Sequence, residues 1–304
     1  MARINPPRAV WSFWSAPYVA HYRYAWARPL DHLLSWVVSV QTAIRHYPDA
    51  VLVTDSPGRK LLVDRLELPF TEISTELDRL HGCDPDWWML GKLVAYGLQR
   101  DPFVHLDSDV FLWRPLPAHL TAAPVLTQNP EGRTTDGYRP EEIETAMAET
   151  RGVLPVEWQW ARSLGPPLPA ENCGIVGGRD VAFLRYYART ALDIVERPEN
   201  RSGWRKLHGK RHYTYVVEQF LLSACIGYHA LRPDSPYRGV RVAHLFPSWA
   251  EAFDANHAAR LGYTHLMGGK GHGAAGPILA DRVRRDWPAY YRRCERCAEF
   301  LPGR

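Results

Sequence analysis

Residues 103–113 read Phe103-Val104-His105-Leu106-Asp107-Ser108-Asp109-Val110-Phe111-Leu112-Trp113. An apolar run, Phe103 to Leu106, stops at two aspartates spaced i, i+2, and a second apolar run, Val110 to Trp113, follows at once. On extended backbone, residues at that spacing project the same way. Two carboxylates on one side of a strand end make half a site for a hard divalent cation, which takes oxygen ligands. Asp-Ser-Asp is also ordinary turn chemistry. Here, however, no Gly or Pro separates the acids from the flanking apolar runs, and the metal reading is the stronger one.

Strand and helix patterns alternate outward from this segment. Val10 to Trp14 predicts a first strand, and Pro29 to Tyr47 a helix with Leu30, Leu33, Leu34, Val37 and Ile44 on one face. Val51 to Thr54 reads as a buried strand ending at Asp55, with Pro57-Gly58 as its turn. Lys60 to Leu66 reads as helical and Phe70 to Ile73 as a strand. Asp84-Pro85 opens a helix carrying Trp88, Lys92, Leu93 and Tyr96. Such alternation predicts an α/β fold, a mostly parallel mixed central sheet flanked by helices. Ligands of such sheets bind beyond the carboxyl ends of the strands, where Asp107 and Asp109 fall.

Pro115 to Ala170 is rich in Pro, Gly and Thr, with one helix expected from Pro140 to Arg151. It reads as an elaborated connection over the site. A helix is expected over Asp180 to Val195, another over Tyr215 to Ile226, and a strand over Val240 to Leu245. Arg282 to Arg293 reads as the solvated face of one terminal helix, with Ile278, Leu279, Val283, Trp287 and Tyr290 turned inward.

The 304 residues are 46% hydrophobic and 23% charged, with a net charge of +4. That balance supports a sizeable core, and the mild positive excess suits an anionic small molecule as well as it suits nucleic acid. The basic residues form no continuous stripe with interleaved aromatics, which argues against nucleic acid. The five cysteines form no disulfide framework, and the single Cys294-x-x-Cys297 lacks the partners of a zinc site. No stretch approaches the roughly 18 apolar residues of a membrane span. Met1 to Pro17 lacks a continuous apolar core, so a reduced, cytoplasmic, soluble protein is expected.

Four segments stand in order: Trp87 to Trp113 with Lys92 and the acidic pair, Glu171-Asn172-Cys173-Gly174, Glu218-Gln219, and His265-x-x-Gly268-x-Lys270. This succession, over roughly Val51 to His272, resembles the GT-A glycosyltransferases, especially the glycogenin and lipopolysaccharide galactosyltransferase group, family eight. The resemblance implies a single GT-A domain over 1–304, with a Rossmann-like nucleotide-sugar half (1–114) and an acceptor-side half (115–304). Asp107 and Asp109 match the family's Asp-x-Asp, which holds a divalent metal on the diphosphate of a nucleotide sugar. His265 matches its late imidazole ligand. Imidazole with carboxylates suits a manganese-like ion, magnesium being the alternative, better than calcium.

The resemblance also places Lys92, Asn172, Gly174, Gly268 and Lys270 on the donor, and Glu218, Gln219 and Lys270 at the reaction. Lys270 follows His265 by five positions, one earlier than the family spacing. Glu218 stands where the family has an aspartate. Read without the family, Lys92 is equally a solvated helix lysine, Asn172-Cys173-Gly174 a tight turn, and His244, His257 and His272 unspecific. The implied activity is metal-dependent transfer of a sugar, with retention, from a UDP-sugar to an unidentified glycan, peptide or small molecule. A sugar nucleotidyltransferase is the rival enzyme, though no Gly-rich, Arg-containing loop follows Val10 to Trp14. A catalytically inactive GT-A-like binding protein is the rival of another class.

Overall fold

The computed structural model describes residues 6–131, 138–271 and 273–299. In chain order, the first elements are β1 (Arg8–Phe13), α1 (Ser15–Ala25), α2 (Pro29–Ala43), β2 (Ala50–Thr54), α3 (Ser56–Arg59) and β3 (Glu72–Ser74). They lead through α4 (Leu90–Leu98) to β4 (Phe103–Leu106) and β5 (Val110–Leu112), which flank the acidic pair. Next come α5 (Ala118–Thr121), β6 (Val125–Thr127), β7 (Pro130–Glu131), α6 (Pro140–Thr150) and α7 (Val156–Arg162). Then follow β8 (Ala170–Glu171), β9 (Ile175–Gly178), α8 (Val181–Glu196), α9 (Arg201–Lys206), α10 (Leu221–Leu231) and β10 (Val242–His244). The last are α11 (Trp249–Ala252), α12 (Ala255–Leu261), β11 (Tyr263–His265), α13 (Ala275–Asp286) and α14 (Pro288–Ala298).

Seven strands form one mixed sheet in the order β10-β6-β9-β4-β1-β2-β3. The β1–β2, β2–β3 and β10–β6 pairs are parallel and β6–β9 is antiparallel. The expected α/β class, a mostly parallel sheet flanked by helices, is the observed one. β2 and β4 are buried at every position, as expected of strands covered on both faces.

The chain divides into two compact units, 1–85 with 105–116 and 256–304, and 86–104 with 117–255. β4 contributes Phe103–Val104 to the second unit and His105–Leu106 to the first. In the first unit, α2 begins with Pro29 and buries nearly its whole circumference, with α13 and α14 packed against it. In the second, α8 starts at Asp180, whose carboxylate accepts from Phe183 N at 3.0 Å, and packs on α4.

Several boundaries differ from the pattern. Pro57-Gly58 is no turn: it lies in α3, capped by Asp55, whose side chain accepts from Gly58 N at 2.8 Å. A Cβ on Gly58 would lie 2.1 Å from Thr54 Oγ1, so the helix follows the strand more closely than any other residue allows. Helix α4 begins at Leu90, not Asp84, because Trp87 turns inward to meet Trp204 edge-on at 4.7 Å. The 115–170 region is more than a connection. It supplies β6 to the central sheet, three residues too short to show a period, and adds α5 and α7; residues 132–137 of it lie outside those described.

The expected terminal helix is two. Pro288 opens α14 after Trp287 leaves helical backbone, the usual effect of a proline on the residue before it. Ile278, expected to turn inward, lies on the outer face of α13 and is 70% exposed, while Leu279 and Val283 face the core. All five cysteines are free thiols, and Cys294 and Cys297 are buried. Among the described residues no helix is long and apolar enough to cross a membrane.

β9 makes a close approach that tests the second unit. A Cβ on Gly177 would stand 2.0 Å from the carbonyl oxygen of Phe103. Gly177→Ala is therefore expected to destabilise by about 2–3 kcal/mol as backbone shifts to make room. Thermal melting should fall by at least about 5 °C; an unchanged melting temperature would disprove the contact.

Candidate metal and phosphate site

In the first unit the acidic turn is held from below by one face of α2. Ser35 Oγ donates to Ser108 O at 2.7 Å, and Ser39 Oγ to Asp107 O at 3.3 Å. Thr42 Oγ1 accepts from Leu112 N at 3.1 Å. These positions, four and three residues apart, lie on one helical stripe. Val110 N closes the turn onto Asp107 O at 3.0 Å. His105 is buried beneath the turn, with Nε2 2.9 Å from Ser12 Oγ and Nδ1 3.9 Å from Asp107 Oδ1.

From above, β11 runs antiparallel to β5 with His265 opposite Val110. Leu266 N donates to Asp109 O at 3.1 Å, Trp113 N to Gly262 O at 2.8 Å, and Trp113 Nε1 to Thr264 Oγ1 at 3.0 Å. This two-stranded register carries His265 to the acidic turn across about 150 residues of chain. A 3₁₀ turn, Met267–Gly271, follows directly and packs on α1.

One ligand atom each from Asp107, Asp109 and His265 lie within 4.8 Å of one another. His265 Nε2 is 3.5 Å from Asp109 Oδ2, and Lys270 Nζ is 2.7 Å from the same oxygen. The Lys270 ammonium also stands 5.9 Å from the Trp26 ring. Burial pushes the Asp109 carboxyl up. The nearby charges of Lys270 and His265 more than offset it, and the group stays below the ordinary carboxylate range. Asp109 is buried, whereas the Asp107 side chain keeps 25% of its exposure. Gly268 is exposed on the 3₁₀ turn; His272 lies outside the described residues.

The remaining motif residues meet in the second unit. Lys92 Nζ lies 2.9 Å from Glu218 Oε1 and donates to Cys173 O, also at 2.9 Å. Tyr96 OH donates to Glu218 Oε1 at 3.2 Å, and Tyr187 OH to the Glu218 carbonyl at 2.7 Å. Lys92 is therefore an interior ion pair, and the solvated reading of it is wrong. The expected helix from Tyr215 opens with a π-helical turn, Val216–Phe220, whose residues are all buried. Asn172 is fixed at both ends of its amide. Its Oδ1 accepts from Gly174 N at 2.9 Å and its Nδ2 donates to Glu131. Glu171 accepts from Thr127 Oγ1 at 2.8 Å, and His244 Nε2 lies 2.8 Å from it.

Two residues of this network escaped the sequence reading. Tyr138 OH donates to Gln219 Oε1, and its ring meets Tyr215 at 6.5 Å; Tyr215 in turn meets Trp88 at 5.5 Å. Burial, with Glu131 and Glu218 nearby, pushes the Tyr138 phenol well up. Burial, only partly offset by Asn172, also raises the Glu131 carboxyl. Neither position carries a motif or a period that could have marked it. Ser35, Ser39 and Thr42 did carry a signal, three hydroxyls at helical spacing in an otherwise apolar helix.

Among solved structures the chain is similar to mouse xyloside xylosyltransferase 1 in its apo form, at 10% identity and a TM-score of 0.40, over 86% of this chain and 98% of that one. It is also similar to the apo structure of WbbM, a bifunctional glycosyltransferase, at 13% identity and a TM-score of 0.33, over 63% of this chain and 35% of that one. No curated protein matches it. Residues 8–297 match a Family of unknown function (DUF6734), and the chain belongs to that family.

Proposed function

We propose that the protein is a metal-dependent glycosyltransferase that takes a sugar from a nucleotide sugar, a UDP-sugar in the first instance, and passes it to an acceptor hydroxyl. The observation that carries this reading is the convergence of Asp107, Asp109 and His265 within 4.8 Å beside the Lys270 ammonium. Ligands on one small divalent cation, each about 2.0–2.2 Å from it, stand roughly 3–4.4 Å apart. His265 Nε2 and Asp109 Oδ2, 3.5 Å apart, fall in that range, and two carboxylates with an imidazole are a donor set for manganese or magnesium. When bound, the metal would neutralise charge on the diphosphate of the donor.

The chain's own groups divide the rest of the work. Asp107, the more exposed acid, faces the incoming ion, and His265 is aligned by the β5–β11 register. Lys270 supplies a positive charge where the departing diphosphate becomes more negative, so it acts most strongly at the transition state. The open backbone at Gly268 suits close approach of phosphate. The second unit's part is assigned by motif: Asn172, Gly174 and Lys92 for the donor sugar, Glu218 and Gln219 for its anomeric centre. Lys92 and Glu218 pair with each other, so the ammonium also holds the carboxylate in place at that centre. Retention follows from the resemblance.

Titration calorimetry with UDP and manganese should give saturable binding that disappears with excess chelator. Equal affinity in both conditions would remove the metal from the reading. Hydrolysis or transfer of a UDP-sugar separates the enzyme from a binding protein. Pyrophosphate release from UTP and a sugar phosphate would instead favour the nucleotidyltransferase.

Asp109→Ala should cut turnover by at least about a hundredfold, the scale set by losing electrostatic stabilisation of the leaving group. The fold should survive, because the turn that carries the residue is held by backbone and hydroxyl contacts that do not use its side chain. Wild-type turnover with intact metal binding would sink the assignment, and loss of folding would make Asp109 structural.

Lys270→Ala should lower kcat more than it raises the donor KM. Lys92→Ala should instead lower stability by about 3–5 kcal/mol, because it strands the buried Glu218 carboxylate. A silent Lys270→Ala, with a folded but inactive Lys92→Ala, would transfer the phosphate contact to Lys92.

A further inference from the structure

Helix α2 presents one more buried polar group beside its hydroxyl stripe, the imidazole of His32, which is 5% exposed. The ring is caged by aromatics. It stacks on Tyr18 at 4.4 Å with 24° between planes, and Trp26 and Phe13 stand 5.6 and 5.8 Å away. Trp36 Nε1 donates to His32 Nε2 at 3.0 Å. An indole N–H can only donate, so Nε2 must be an acceptor. Burial, reinforced by Lys270 and opposed by Asp109, holds the ring's pKa down at about 3. A neutral imidazole carries one proton, so that proton is on Nδ1. Among the described residues Nδ1 has no hydrogen-bond partner.

A buried N–H donor without an acceptor is costly, and such groups are rare in folded proteins unless something outside the chain satisfies them. Its surroundings say what that is. His32 lies one helical turn before Ser35, the residue of α2 whose hydroxyl donates to Ser108 O at 2.7 Å. Lys270 Nζ stands against Trp26, which is itself packed beside His32. The ring thus stands one aromatic side chain from Lys270, on the helix whose hydroxyls hold the acidic turn.

Resting on the glycosyltransferase reading, we propose that His32 is a donor-binding residue whose Nδ1–H hydrogen-bonds a phosphate oxygen of the nucleoside diphosphate. The arrangement suits that task. Trp36 fixes the tautomer, the aromatic cage fixes the ring plane, and a neutral donor adds no charge to compete with the metal for the aspartates. Because Nε2 is occupied as an acceptor by the Trp36 indole, the ring is held neutral.

The test uses the full chain with 15N-labelled histidine. Two-bond nitrogen–proton correlations should show His32 protonated at Nδ1 alone between pH 5 and 8. Addition of UDP with magnesium, chosen because it is diamagnetic, should shift that signal and slow its exchange with solvent; inorganic pyrophosphate with magnesium should do the same. In calorimetry, His32→Phe should weaken UDP–magnesium binding by about tenfold or more, the scale of a hydrogen bond to a charged oxygen. His32→Asn, which keeps an N–H near the Nδ1 position, should restore part of the loss.

An Nε2-protonated ring would overturn the proposal. So would a His32 signal unmoved while wild-type protein binds UDP, the result expected if an internal water satisfies Nδ1; the glycosyltransferase reading would then stand. Failure of the wild-type chain to bind UDP or pyrophosphate would overturn both. If His32→Phe does not fold, the wild-type spectra still decide.

Discussion

Asp109 is a carboxylate with almost no access to water, and the organisation around it follows from that one fact. An ionised acid at such depth survives only beside positive charge or hydrogen-bond donors. Lys270 supplies the charge, His265 stands 3.5 Å away, and both come from the last sixth of the chain. The acidic turn thus cannot form in its final state until β11 has paired with β5. Long-range pairing of this kind makes the local chemistry depend on the global fold, the opposite of a turn that any loop could host.

The β5–β11 register does more than deliver a histidine. Slipping it by one residue would turn His265 to the other face of the ribbon, away from Asp109. Trp113 guards against the slip at two points, through its backbone to Gly262 and its indole to Thr264. Below the turn, Ser35 and Ser39 occupy the carbonyls of Ser108 and Asp107. With its backbone held from one side and Asp109 held by Lys270 from the other, the turn has little freedom left. Preorganised charge costs no rearrangement when a ligand's own charge develops, which is the condition for useful electrostatic catalysis.

What the sequence disclosed and what it withheld divide along the same physical line. β2, β4 and α2 were legible because burial writes itself as an apolar run or stripe within a single element. The acidic pair was legible because it interrupts such runs. α1 was missed: Ser15 to Ala25 mixes tyrosine, histidine and alanine without a clear stripe. β6 was missed because three buried residues carry no period. The break at Trp287-Pro288 was present in the sequence, since proline disfavours helix in the residue before it. The partners of Lys92 were not, because Cys173 and Glu218 lie 81 and 126 positions away and only the fold joins them. The same holds for Tyr138 and Gln219.

The two polar networks differ in a way that bears on function. In the second unit, Lys92, Tyr96 and Glu218 form a closed set with charge balanced internally, and Glu218 is fully buried. Such a set fixes a conformation, and it leaves one carboxylate oxygen, Glu218 Oε2, buried without a hydrogen bond among the described residues. In the first unit the balance is incomplete. Two aspartates stand against one lysine and a histidine, and Asp107 keeps its access to water. A cluster with surplus negative charge at an exposed edge draws a cation. A lysine beside that cation draws an anion of the kind a diphosphate presents. That difference in charge balance, more than any single motif, is what makes the acidic turn and not the Lys92–Glu218 pair the place for a metal.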